Sequence, residues 1–199
     1  LHGLGLCLLA QGAPAQAVAL LGAAPDPDAE RLLDLSRALR AAGLIEEAEL
    51  RLRQAVDSAP DRGEVRTELA ETLVLLGRTE EALAMAGDDP DDPAARRVAA
   101  MAHLATGNAA LARHDPAAAA EAYRAALAAQ PGYVAALGNL GIALTALGDV
   151  PQALGTYEEA LALAPANKGI GYAYGLALPL DGRIEAGWQW QECRREVDT

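Results

Sequence analysis

Side chains that could act as nucleophiles, general bases or metal ligands are few in this chain of 199 residues, and they lie far apart. None of the three histidines, His2, His103 and His114, has a cysteine or a second histidine at the spacing that zinc sites use. Ser36 and Ser58 are the only serines, and neither stands in a Gly-x-Ser-x-Gly context. We therefore predict that the protein is not an enzyme, and we expect no catalytic residues, no metal and no cofactor.

The charge balance limits the partners that the chain can bind. It has 28 acidic residues against 16 basic ones, a formal net charge of −12. Because binding to nucleic-acid phosphates needs a basic stripe, we predict no nucleic-acid partner. Every long apolar run is broken by Gly, Pro or a charge, so we predict no membrane insertion. Residues 57–93 hold eleven acids against three arginines, which would steer a basic partner or form a solvated face; we favour the solvated face.

Features near the chain ends bear on the compartment. Cys7 and Cys193 would stand too far apart for a disulfide in an elongated fold, so they do not indicate a redox environment. Because the sequence starts at Leu1 and not at Met, we expect a fragment or a processed product. The apolar run from Leu4 to Ala10 is similar to a signal-peptide core, but no basic residue precedes it and the repeat described next assigns it to a helix. We favour the cytoplasm slightly over the periplasm.

An internal repeat is the strongest pattern in the sequence. Its reference positions recur at intervals of 31, 34, 37, 34 and 34 residues: Gly12, Gly43, Gly77, His114, Gly148 and Gly182. Seven positions before each reference stands a small residue: Gly5, Ser36, Ala70, Gly107, Gly141 and Gly175. Five positions after it stands another: Ala17, Ala48, Ala82, Ala119, Ala153 and Gly187. Leucine or tyrosine stands nine positions after four of the six references: Leu21, Leu52, Tyr123 and Tyr157.

The residue types at these positions predict pairs of helices. The reference glycine ends a first helix in a left-handed conformation. At His114 we expect either strain or a slightly different turn. The small residues let two helices approach closely, and leucine or tyrosine fills the space one turn away. Prolines that end the second helix stand seventeen positions after three references: Pro60, Pro131 and Pro165. The pairs Asp92-Pro93 and Asp115-Pro116 predict helix starts, with an N-cap followed by proline.

These columns resemble the tetratricopeptide repeat, a helix–turn–helix unit of 34 residues. Residues 134–167 match it best, and residues 29–62 match nearly as well. The resemblance implies an all-α, right-handed superhelical solenoid of antiparallel helix pairs, with about six repeats of which the first and last are incomplete. Shortened second helices are expected at Ala24-Pro25 and at Gly87. We predict two parts, residues 1–90 and 91–199, with a seam at the acidic loop between them and the looser packing in the first part.

The resemblance also implies a function, because first helices in this family line a concave groove that binds an extended peptide or a partner helix. We predict a non-catalytic scaffold that binds a protein or peptide partner. The predicted groove residues are Arg37, Arg40, Glu71, Asn108, Asn139 and Tyr172. We further expect weak self-association through the open ends of the array.

The roles of two residue pairs are open at this stage. In family members that bind a terminal carboxylate, asparagines at the positions of Asn108 and Asn139 contact the peptide with the help of basic residues. Those basic positions hold Leu104, Gly169 and Ala173, so we reject that specificity and keep a contact to the peptide backbone. Hydrogen bonding between repeats is an equally good role for the two asparagines.

Arg37 and Arg40 also have two alternative roles. They would hold a partner carboxylate in a bidentate fork. The alternative, which we favour, is that they pair within the chain with Asp34, Glu68 or Glu71.

The C-terminal segment suggests two alternative functions. Gly182 to Trp188, followed by Glu192 and Arg194, resembles the end of bacterial tetratricopeptide arrays that precede a glycosyltransferase-type domain. The chain would then be the N-terminal, substrate-recruiting region of a larger enzyme. An assembly factor for a secretion or pilus system is the other alternative. Independently, Trp188 and Trp190 are expected to cover the last hydrophobic face.

Overall fold

A computed structural model describes residues 2–23, 28–87, 89, 91–188 and 190. The described residues form helices and turns with no strand, so the predicted all-α fold built from helix pairs is confirmed. The chain divides into two compact units, Leu1–Ala102 and His103–Thr199, and each is described by itself. The predicted seam between residues 90 and 91 stays a prediction.

Helix pairs make up each unit. The first unit contains α1 (His2–Ala10), α2 (Pro14–Leu21), α3 (Ala29–Ala41), α4 (Ile45–Ser58), α5 (Gly63–Leu75) and α6 (Thr79–Ala86). Helix α7 (Pro93–Ala112) contributes residues 93–102 to the first unit and residues 103–112 to the second. The second unit continues with α8 (Pro116–Ala129), α9 (Val134–Leu147), α10 (Val150–Leu163), α11 (Lys168–Ala177) and a 3-10 helix (Leu178–Asp181). Residues 184–188 are also helical.

Neighbouring first helices contact one another inside each unit. Helix α3 contacts both α1 and α5, and α9 contacts α11. Each of these helices also packs against its own second helix or against the second helix before it. The first helices therefore present a shared face in each unit, which is where the predicted binding residues lie.

The turn between paired helices depends on a left-handed residue, as predicted. All five reference glycines have positive φ, between 75° at Gly12 and 82° at Gly148. His114 takes the same conformation with φ of 60°, and it is the only residue other than glycine to do so in the described part of the chain. Since a Cβ makes this conformation unfavourable, the predicted strain at His114 is confirmed.

Helix starts and ends follow the predicted signals. The Asp92 carboxylate accepts from the amide of Ala94 (2.8 Å), and the Asp115 carboxylate accepts from the amide of Ala118 (3.0 Å). The second helices α4, α8 and α10 each end two residues before a proline. Helices α2 and α6 are short, with eight residues each, as expected. Ala24 and Pro25 themselves lie outside the described residues.

Close helix packing rests on the small-residue columns. The alanines five positions after the references are fully buried: Ala17, Ala48, Ala82, Ala119 and Ala153. Gly107 on α7 packs against the ring of Tyr123 on α8, where a Cβ would fall less than 3.0 Å from the ring. Tyr123 is itself fully buried. Tyr123 thus takes the space that a glycine on the facing helix leaves free.

At the end of the second unit, only one of the two tryptophans covers the core. Trp190 packs against Gly171 and makes an edge contact with Tyr174, with ring centroids 5.6 Å apart. Trp188 is 63% exposed, so the expectation that both tryptophans cover the last face was wrong for Trp188. Glu192 and Arg194 lie outside the described residues.

Candidate functional site

Asn108 and Asn139 are joined by a hydrogen bond in the second unit. The Nδ2 atom of Asn139 on α9 donates to the Oδ1 atom of Asn108 on α7 over 2.8 Å. The same Oδ1 atom accepts a bond of 2.9 Å from the hydroxyl of Tyr123 on α8. The expected bond between repeats is therefore present. It does not exclude a ligand, because each amide has a second polar atom.

A cavity of about 300 Å³ lies beside Asn139. Its walls come from the first helices α9 and α11 and from the turn before α11: Ala135, Gly138, Asn139, Ile142, Asn167, Gly169, Ile170 and Ala173. These lining residues carry no charge. Asn139 and Asn167 supply side-chain amides, and the rest of the wall is glycine or apolar. The cavity can thus accept an apolar side chain while an amide stands at its edge.

Exposed apolar side chains continue from this cavity along the same helices. Ile142 on α9 is 44% exposed, and Tyr172 and Leu176 on α11 are each 47% exposed. An apolar surface next to a cavity is typical of sites that bind other proteins. Tyr172, a predicted groove residue, therefore lies on an exposed part of the first-helix face.

In the first unit, Arg37 and Arg40 are paired with carboxylates of the same unit. The carboxylate of Glu68 on α5 accepts from Nε of Arg37 (2.8 Å) and from Nη1 of Arg40 (2.5 Å). Arg37 also donates from Nη2 to Glu64 (2.7 Å). Burial lowers the pKa of Arg37, but the bonds to Glu64 and Glu68 outweigh it and raise the pKa. The internal pairing that the sequence favoured is confirmed.

The ion-pair network extends in both directions from this centre. Glu71 accepts from Nη2 of Arg97 over 2.7 Å and lies 3.5 Å from Arg40. At the other end, Asp34 lies 3.5 Å from Arg37 and is bonded to His2 over 2.8 Å. A second cavity, of about 450 Å³, is lined by charged residues of both signs, most of which belong to this network. Its walls include Arg37, Arg66, Arg97, Glu64, Glu68, Glu71 and Asp92.

The sequence did not predict two parts of the site. Tyr123 appeared only as a packing residue, yet its hydroxyl bonds to the asparagine pair. The cavity beside Asn139 depends on Gly138, Gly169 and Ala173, whose small side chains leave space between α9 and α11. A tyrosine in place of leucine, nine positions after the reference residue His114, could have indicated the hydroxyl contact. No single-sequence signal predicts the cavity, because it depends on how two helices pack.

Other chemistry is not evident in the described residues. They include no group of three or more His, Cys, Asp or Glu side chains placed to hold a metal ion. No helix in the same part of the chain is both long enough and apolar enough to cross a bilayer.

The fold and this first-helix face define a helical-repeat protein of the kind that binds other proteins. Tetratricopeptide repeat models match residues 8–67, 39–87 and 104–168. The chain belongs to the tetratricopeptide repeat family. Members of this family are in general non-catalytic scaffolds for protein partners, which agrees with the first-helix face described above.

Solved structures with a similar fold include three named proteins. PilW, described as a widely conserved type IV pilus biogenesis factor, shares 20% identity with a TM-score of 0.69, over 96% of this chain and 89% of its own. PilF of Pseudomonas aeruginosa shares 19% with a TM-score of 0.73, over 98% and 89%. YrrB, described as a protein with an unusual peptide-binding site, shares 15% with a TM-score of 0.53, over 83% and 84%. At these identities the likeness concerns the fold. No curated protein sequence matches the chain.

Proposed function

We propose that this protein is a non-catalytic scaffold that binds an extended segment of a protein partner on the first-helix face of its second unit. The observation that supports this most strongly is the uncharged cavity beside Asn139. An extended segment would place an apolar side chain in the cavity and hydrogen-bond its backbone to Asn139 and Asn108. Tyr172 and Ile142 would contact its neighbouring residues. A free terminal carboxylate is not required, since the lining offers no positive charge.

Arg37, Arg40 and Glu71 have a different role in this proposal. Arg37 and Arg40 are already bonded to the carboxylate of Glu68, and Glu71 is already bonded to Arg97. A partner carboxylate would have to break these bonds, which disfavours the bidentate capture by Arg37 and Arg40. We propose that the first unit makes secondary polar contacts to the partner through the charged cavity.

The test is peptide selection followed by measurement of affinity. Random peptides displayed on phage are selected on the intact chain, and fluorescence anisotropy gives the Kd of the enriched peptides. Ala135→Leu places a larger side chain at the rim of the cavity, on an exposed helical position where leucine is well tolerated. We expect this change to weaken binding by about tenfold.

The matched control is Ala146→Leu, because Ala146 is exposed on the same helix but does not line the cavity. We expect its Kd to equal that of the unmodified chain. Equal binding by both leucine variants would contradict the proposed site. Failure to enrich any peptide would contradict the proposed function itself.

The two alternatives from the sequence stay predictions. PilW and PilF share the fold, and an assembly role like that of a pilus biogenesis factor would use the same partner-binding face. The enzyme-recruiting alternative depends on Glu192 and Arg194, which the described residues do not include. Reading the gene beyond Thr199 for a glycosyltransferase-type domain tests the enzyme-recruiting alternative. Measuring pilus assembly in a deletion strain tests the assembly-factor alternative.

A further inference from the structure

Tyr123, Asn108 and Asn139 form a hydrogen-bonded group that comes from three successive helices of the second unit. The Oδ1 atom of Asn108 accepts from both the Tyr123 hydroxyl (2.9 Å) and Nδ2 of Asn139 (2.8 Å). A carbonyl oxygen has two lone pairs, so these two donors saturate it. The amide planes of both asparagines are thereby fixed relative to Tyr123.

From this arrangement we infer that Tyr123 is a positioning residue for peptide recognition: its hydroxyl holds Asn108, and through it Asn139, in the orientation that binds a peptide bond. This inference rests on the proposed function. With Oδ1 of Asn108 and Nδ2 of Asn139 used in the group, the opposite atoms of the two amides are the ones that can meet a ligand. These are a donor, Nδ2 of Asn108, and an acceptor, Oδ1 of Asn139. The C=O and N–H groups of an extended backbone are complementary to such a pair.

Tyr123 is well placed to be rigid. It is fully buried, and its ring is held against Gly107 on the facing helix. Burial raises the pKa of Tyr123, so its hydroxyl stays protonated as a donor at neutral pH. By contrast, Asn108 is exposed and Asn139 is half-buried. The buried tyrosine therefore restrains two amides that solvent would otherwise let rotate.

The variant that tests this role is Tyr123→Phe, which removes the hydroxyl and keeps the ring against Gly107. Tyr157→Phe is a matched control, because Tyr157 is equally buried and packs against Gly141 in the next repeat. The Tyr157 hydroxyl lies near Thr145 and away from the asparagine pair. Both variants lose one buried hydroxyl, so thermal unfolding should shift similarly for the two.

The first readout needs no ligand. In NMR spectra of the nitrogen-15-labelled chain, the side-chain amide signals of Asn108 and Asn139 should move in Tyr123→Phe and stay in place in Tyr157→Phe. Unmoved amide signals in Tyr123→Phe would overturn the positioning role. This result stands whether or not a peptide is ever selected, so it is independent of the proposed function.

The second readout uses a phage-selected peptide as the probe. We expect Tyr123→Phe to raise its Kd roughly three- to tenfold, and Tyr157→Phe to leave it unchanged. In an Asn139→Ala background, Tyr123→Phe should add little further loss, since the residue acts through the pair. Two results would overturn the inference: wild-type affinity in Tyr123→Phe, or an undiminished effect in the Asn139→Ala background. Loss of peptide binding in Ala135→Leu together with wild-type binding in Tyr123→Phe would refute the inference and leave the proposed function intact.

Discussion

Gly141 on α9 and Tyr157 on α10 lie so close together that a Cβ on the glycine would fall less than 3.0 Å from the tyrosine ring. Tyr157 is 1% exposed, so the ring has no free direction in which to move. The same relationship joins Gly107 to Tyr123 one repeat earlier, and Gly5 meets Leu21 in the same way. The spacing of paired helices in this protein therefore depends on a glycine on one helix as much as on the large side chain of the facing helix that packs against it.

This packing makes opposite predictions for two glycines. Gly141→Ala should destabilise the second unit by about 1–3 kcal/mol, because the added methyl overpacks a buried contact. Gly155→Ala should stabilise it by about 0.5–1 kcal/mol, since Gly155 is an exposed position inside α10 with open space around it. Urea unfolding followed by circular dichroism measures both changes. Equal effects of the two substitutions would contradict the packing described here.

Replacing His114 with glycine should stabilise the protein. Its φ of 60° is unfavourable for a residue with a Cβ, and its side chain is exposed. We expect His114→Gly to raise the free energy of unfolding by about 1 kcal/mol. The matched control is Gly148→Ala, which places a Cβ at the equivalent left-handed position and should lower stability by a similar amount. A destabilised His114→Gly would show that the histidine makes a compensating contact.

Glu68 should matter more to stability than Glu64, although both bind Arg37. The side chain of Glu68 is 16% exposed and bridges two arginines, whereas that of Glu64 is 55% exposed. Glu68→Ala would leave Arg37 and Arg40 without this shared carboxylate, at a cost of about 1–3 kcal/mol. Glu64→Ala should cost less than about 1 kcal/mol. Thermal unfolding of the two variants makes the comparison, and a larger loss for Glu64→Ala would contradict it.

The ion pair formed by Arg78 and Glu81 should make the free energy of unfolding depend on pH in the acidic range. Two hydrogen bonds of 2.6 Å from Arg78 lower the pKa of Glu81 below its ordinary value. The unfolded chain therefore takes up this proton at a higher pH than the folded chain does. The stabilisation is present at neutral pH and is lost as the pH falls through the folded-state pKa.

Glu81→Gln isolates this effect from the titration of other acids. We expect the variant to unfold at a lower urea concentration than the unmodified chain at pH 7. The difference should disappear well below about pH 4, where the glutamate is protonated as well. A difference that is constant with pH would contradict the assignment.

Much of the fold could be predicted from the sequence because the residues that recur in the repeat have direct effects on the backbone conformation. Glycines with positive φ mark the turns, and prolines mark the helix ends. The contacts and exposure of the site residues were harder to predict from the sequence. The pairing of Arg37 with Glu68 could be anticipated from charge and spacing, but the cavity beside Asn139 depends on the distance between α9 and α11. The exposure of Trp188 was not predicted, since no following repeat in this sequence packs against the terminal repeat to indicate which of its side chains are buried.

The most direct test of the account is to map a selected peptide onto the nitrogen-15-labelled chain by NMR titration. The largest shifts in backbone amide signals should fall in residues 135–142 and 167–173, the parts of α9 and α11 that line the cavity. The side-chain amide of Asn139 should shift with them. Shifts concentrated on the exposed face of α10 or in the first unit, with residues 135–142 unmoved, would contradict the claim that this face binds the partner.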